Sequence, residues 1–222
     1  MGSDDAVTCL ERKLLAHCSP TIAGLKPANM FTLHLKCATG CKGPKCASLG
    51  FLELSHALES CRARLAGQGV RIHVLAQRPA SVLLLVYRPQ LLGRALGGPR
   101  EAAFLAALGY EPADVGACVE HLAQRVAASD QLAGAQRTCA FPHEVGLFLG
   151  YPFEDVVAFI ENGGRGSVAC GCWKVYSQER DAAECFCRYK KCTRECARRY
   201  EQGTALEELA AAGKAAEQRL AA

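Results

Sequence analysis

Apolar residues recur at helical spacing at Val7, Leu10, Leu14 and Leu15, with Ser3-Asp4-Asp5 ahead of them to cap the first turn. The pattern predicts a helix ending near Cys18, because Pro20 biases its predecessor out of the helical region. Phe31, Leu33 and Leu35 then alternate with Thr32, His34 and Lys36, the period of a half-buried strand. Helical spacing returns at Leu52, Leu54, Ala57, Leu58, Cys61 and Leu65 and stops at Gly67-Gln68-Gly69. Val70 to Val74 alternates again, whereas Ser81 to Tyr87 is a continuous apolar run suited to a central strand. The short Arg78-Pro79-Ala80 link joins these two strands as a hairpin.

Residues 90–96, 101–108 and 112–128 read as helices, 129–138 as a loop and 153–160 as a further helix, with a turn at 162–166. Residues 178–200 and 206–220 read as two terminal helices. The elements predict an α+β fold: a small antiparallel sheet of about three strands packed by helices, with a helical C-terminal region. Residues 1–200 are expected to form one domain and 201–222 a C-terminal helix with a fraying end.

Half of the 222 residues are apolar and 22% are charged, a composition that can bury a core and excludes a disordered chain. A net charge of +4 gives no ground for nucleic-acid binding by itself. The first twenty residues lack a basic segment followed by an apolar one, and no apolar run approaches the length of a membrane span, so a soluble, cytoplasmic protein is expected. In that compartment the fourteen cysteines are expected to be reduced.

Several short constellations could carry chemistry. His17-Cys18 precedes a Pro/Gly loop that holds Lys26, a base and a cation that favour a thiolate, although the end of a helix would oppose one. His143-Glu144 reads either as an acid/base pair or as a helix cap beside a structural histidine; adjacent helical residues face different partners in either case. Trp173, Lys174 and Tyr176 could hold a planar anion by stacking and charge, or be a core tryptophan beside a solvated lysine. Cys37, Cys41 and Cys46 match no familiar metal spacing, and Cys185, Cys192 and Cys196 fall on one helical face with Phe186, Tyr189 and Tyr200, so metal binding and simple packing both remain open. Arg188, Lys190, Lys191, Arg194, Arg198 and Arg199 make either an anion-binding face or a solvated one.

The stretches His17 to Phe31, Phe141 to Ile160, Cys172 to Tyr176 and Tyr189 to Thr193 together resemble the domain of unknown function 3793 family, seen mainly in anaerobic bacteria and without an established activity. The resemblance implies that Cys18, Cys170 or Cys172, and Cys192 fall on family motifs, and it implies a link to redox or iron metabolism. The leading expectation is a pocket for a small anionic ligand or cofactor built from residues 17–29, 141–151 and 172–176. Cys18, His143 and Glu144 are its candidates for catalysis. His17, Thr21, Lys26, Asn29, Tyr151, Trp173, Lys174, Tyr176 and Lys191 are its candidates for ligand binding. No metal ligand is assigned, the cofactor is left open, and neither nucleic acid nor membrane is expected as a partner. The rival expectation is a non-catalytic thiol or metal-binding module whose basic helix docks an acidic redox protein such as a flavodoxin.

Overall fold

The apolar run at Ser81–Tyr87 is the middle strand, β3, of a three-stranded antiparallel sheet ordered β1 (Ala28–His34), β3, β2 (Arg71–Arg78). This computed structural model describes residues 3–35, 50–133 and 141–219. Val82 to Val86 are all buried because the sheet is covered on both faces, which is what an uninterrupted apolar strand requires. Val82, Leu84 and Val86 face one core with Phe31, Leu33 and Ile72. Leu83 and Leu85 face a second core with Ala28 and Leu75. The hairpin forms as expected, with Arg78 opposite Ser81.

The first core is roofed by α1 (Ser3–Ile22), α2 (Phe51–Ala66), α8 (Glu179–Glu201) and α9 (Leu206–Arg219), through residues such as Leu10, Leu14, Leu54, Cys196 and Leu209. The second is covered by α3 (Pro89–Leu96), α4 (Pro99–Ala107), α5 (Val115–Ala133), α6 (Val145–Phe148) and α7 (Phe153–Glu161), through Leu92, Leu105, Leu122, Phe148 and Val156. The fold is therefore α+β, two helical layers around one small sheet. Two-residue strands β4 (Ala169–Cys170) and β5 (Lys174–Val175) form a separate antiparallel pair.

Several boundaries differ from the pattern: β1 begins at Ala28 and β2 runs on to Arg78. α1 continues through Pro20 to Ile22 instead of ending near Cys18. Ile22 is fully buried, and the Arg88 side chain donates to the carbonyls of Thr21 and Ile22, so tertiary contacts override the local bias of proline. α5 runs to Ala133, into the segment expected as a loop; the rest of that segment lies outside the described residues, as do Cys37, Cys41 and Cys46.

α9 packs into the first core: Leu206, Leu209 and Ala210 are buried, and Arg64 of α2 pairs with both Glu11 of α1 and Glu207 of α9. Gly213 explains how closely α9 and α1 approach, since a Cβ there would lie 2.4 Å from the Ile22 carbonyl oxygen. Cys18, Cys61, Cys118 and Cys196 are buried free thiols, and no helix among the described residues is long and apolar enough to cross a membrane.

α8 presents the expected stripe. Tyr189 is buried and Phe186 and Cys192 half-buried, while Arg188, Lys190 and Arg194 are exposed. Phe186 also meets Trp173 edge to face at 4.5 Å. Replacing Phe186 with alanine is expected to cost about 2 kcal/mol, less than for a fully buried phenylalanine, whereas Arg194→Ala should leave the urea midpoint unchanged. Equal shifts of the two midpoints would overturn the assignment of faces.

Candidate functional site

The loop that leaves α1 carries Lys26 into the space between β1 and α8. Its start is fixed locally: the Thr21 hydroxyl donates to Asn29 Oδ1 at 2.7 Å, joining the end of α1 to β1. From the other side of the chain, Gly150 brings the turn after α6 against the same loop. Gly150 has φ of 69°, and a Cβ there would lie 2.6 Å from Pro27 Cγ, so the turn and the loop can meet only at a glycine. Tyr151 follows and is carried into place beside Lys26.

Lys26 is only 4% exposed. Its Nζ lies 5.1 Å from the centre of the Tyr151 ring and 5.8 Å from that of Tyr189, within reach of both π faces. Burial lowers its pKa to about 8, while the nearby thiols of Cys172, Cys18 and Cys185 pull the other way. No carboxylate among the described residues forms an ion pair with it. Lys26 forms part of the wall of a groove of about 680 Å³ shared with His17, Asn29, Tyr151, Cys172, Tyr189, Lys190, Thr193 and Arg194.

His17 is exposed at the groove and stacks on Phe31 at 4.9 Å; partial burial and then Lys13 lower its pKa, which favours the neutral ring. Cys18 lies beneath, 0% exposed. Burial raises its thiol pKa and outweighs the opposing pull of Lys26, so it is a neutral, solvent-shielded thiol. The sequence correctly placed a cation near Cys18 but could not show that desolvation wins. Thr21 is buried and positions Asn29, and Lys191 is exposed on α8 outside the groove.

His143 occupies a different, smaller cleft of about 280 Å³, with Phe141, Tyr151, Phe159, Trp173 and Lys174 in its walls. The imidazole meets Phe159 edge to face at 4.9 Å. Lys174 Nζ donates to the Gly164 carbonyl at 2.6 Å. Tyr151 lines both clefts and stacks on Trp173 with ring centres 5.0 Å apart. The three segments thus adjoin, but around two neighbouring clefts with an aromatic wall between them, not around one site.

Glu144 turns away from His143 in the turn that leads into α6. It is 3% exposed, and its Oε1 accepts from the Tyr110 hydroxyl at 2.8 Å and from Arg125 Nε at 2.5 Å. That geometry braces α6 against α5 and does not put the carboxylate in either cleft. Tyr176 has its hydroxyl buried without a partner among the described residues, while its backbone N–H donates to Asp155.

Asp155 is the residue that sequence reasoning missed. It reads as one of two acids in the first turn of α7, an ordinary complement to the helix dipole. In the structure it is 3% exposed, and Oδ2 accepts from Trp173 Nε1 at 2.8 Å while Oδ1 accepts from the N–H groups of Tyr176 and Ser177 at 2.8 and 3.2 Å. It anchors the whole 172–177 segment. No group of three or more His, Cys, Asp or Glu side chains among the described residues could hold a metal ion.

The sequence model of the family described as "Protein of unknown function (DUF3793)" matches residues 14–210, a span that includes every side chain of both clefts. No curated protein and no solved structure matches the chain.

Proposed function

The chain belongs to the DUF3793 family, whose description carries no activity, and from geometry we propose that it binds a small anionic ligand or cofactor in the groove around Lys26. The observation that carries this reading is a lysine 96% withdrawn from solvent, from the 4% it exposes, in the wall of an open groove and without a carboxylate partner among the described residues. A buried ammonium loses hydration that only an opposite charge restores in full, so an entering anion gains more there than at a surface lysine. Lys190 and Arg194 stand one helical turn apart on α8 at the groove's edge and add charge that steers the same ligand. The Tyr151 and Tyr189 rings supply flat apolar walls.

A second reading has one observation of its own. Arg188 and Lys191 are exposed on α8 away from the groove, a surface suited to an acidic redox partner. Free thiols such as Cys18, Cys170, Cys172 and Cys187 fit the reducing, cytoplasmic setting that such a role needs.

Calorimetric titration with sulfate tests the groove, because the charge of sulfate does not change over the working range. Lys26→Met is expected to weaken binding by roughly tenfold or more, and Lys190→Ala with Arg194→Ala by less, while Arg188→Ala with Lys191→Ala has no effect. Affinity should fall as pH rises through about 8, because the Lys26 ammonium loses its proton there. A folded Lys26→Met protein with unchanged sulfate affinity would overturn the reading.

A further inference from the structure

Resting on that reading, we infer that Lys26 is a covalent site: its amine condenses with the carbonyl group of a small aldehyde or ketone bearing a carboxylate or phosphate. The inference starts from what surrounds the nitrogen. An ordinary structural lysine is either solvated or paired with a carboxylate, and Lys26 is neither among the described residues. Its ammonium group faces two tyrosine rings, and it reaches a groove large enough for a metabolite-sized molecule. Losing the proton would therefore break no ion pair. An amine that sheds its charge without breaking a salt bridge, in an apolar wall with other cations nearby, is the setting that activates nucleophilic lysines.

The remaining groove residues complete the chemistry. Lys190, Arg194 and the Thr193 hydroxyl lie on α8 and offer an anionic group charge and a hydrogen bond, leaving Lys26 for the electrophile. In the step itself the neutral Nζ attacks the carbonyl carbon. Both hydrogens of the amine leave with the carbonyl oxygen as water, a C=N bond replaces C=O, and nothing is oxidised or reduced. With a pKa of about 8, roughly a tenth of Lys26 is neutral at pH 7, against well under a hundredth of an exposed lysine. Cys172 also lines the groove, but burial raises its thiol pKa, and a thiol adduct of an aldehyde is not fixed by hydride.

The test uses the whole chain with glyoxylate and sodium cyanoborohydride, which reduces an imine to a stable carboxymethyl-amine that peptide mass spectrometry can locate. Lys26 should be modified roughly tenfold faster than the exposed Lys191, with a rate that levels off above about pH 8 and is suppressed by sulfate. Lys26→Arg, which keeps the charge, should lose the label and retain sulfate binding. No label at Lys26, or labelling no faster than at Lys191, overturns the inference; if sulfate still binds, the anion reading survives it. Fast labelling without sulfate affinity overturns the anion reading and with it the anionic class assigned to the carbonyl compound.

Discussion

Replacing Arg88 with methionine is expected to destabilise the protein by about 3–5 kcal/mol, the largest loss we anticipate for any single change. Arg88 follows the central strand directly, and its side chain is 0% exposed. All five of its N–H donors are used. Nε donates to Thr21 O at 2.8 Å, Nη1 to Gln68 O at 3.0 Å and Glu217 Oε2 at 3.2 Å, and Nη2 to Ile22 O at 2.6 Å and Ala210 O at 2.7 Å. The guanidinium therefore serves the ends of α1 and α2 and holds α9 over both. Methionine fills the volume but strands four carbonyls and a buried carboxylate. Adding Glu217→Gln should restore part of the loss by removing the stranded charge, and Arg88→Lys should rescue little, because an ammonium has three donors for five acceptors. Urea unfolding monitored by circular dichroism measures all three; an Arg88→Met midpoint equal to wild type would refute the brace.

Asp155→Ala should have the next largest effect, about 2–4 kcal/mol, and should show it locally first. The strands β4 and β5 pair over only two residues each, and the Asp155 carboxylate supplies three hydrogen bonds that tie the 172–177 segment to α7, beside the single one from Lys174 to Gly164 in the turn that follows. Trp173 is the single tryptophan of the chain and reports on this contact directly. Its emission is expected to shift to the red in Asp155→Ala at urea concentrations where the circular dichroism is still native. Asp155→Asn, which keeps one acceptor oxygen, should fall between. Tyr151 would lose its stacking partner with the segment, so sulfate affinity should fall too. A tryptophan spectrum identical to wild type would show that the segment is held by something else.

These two residues also mark where the sequence stops being informative. Ser81 to Tyr87 was legible as a central strand because an unbroken apolar run has only one comfortable place in a sheet, and the α8 stripe was legible because Phe186, Tyr189 and Cys192 recur at helical spacing. Lys26, Tyr151 and Trp173 were singled out as candidates through their motifs, and the structure places Tyr151 against both of the others. What periodicity cannot register is a side chain whose partners are distant. Arg88 and Glu217 are 129 positions apart, and Asp155 and Trp173 are 18 apart across a turn. Adjacency implied that Glu144 and His143 serve different partners but could not name them; the acceptor oxygen of Glu144 meets Tyr110, ahead of α5, and Arg125 on α5. For Cys18 the sequence set a nearby base and cation against the end of a helix and left the balance open, and only its burial reveals that desolvation outweighs the charge.

The Arg88 brace has a consequence for biosynthesis. Ala210, Gly213 and Glu217 belong to α9, so a nascent chain that has emerged only as far as α8 already holds the complete sheet and Arg88, yet lacks two of the acceptors and the helix that covers them. Until the last turns of α9 leave the ribosome, the guanidinium has only the carbonyls of Thr21, Ile22 and Gln68 and is open to water. Committed folding thus waits for α9, and a premature stop between α8 and α9 yields a product with a charged hole in its core, suited to clearance by proteases and not to slow accumulation.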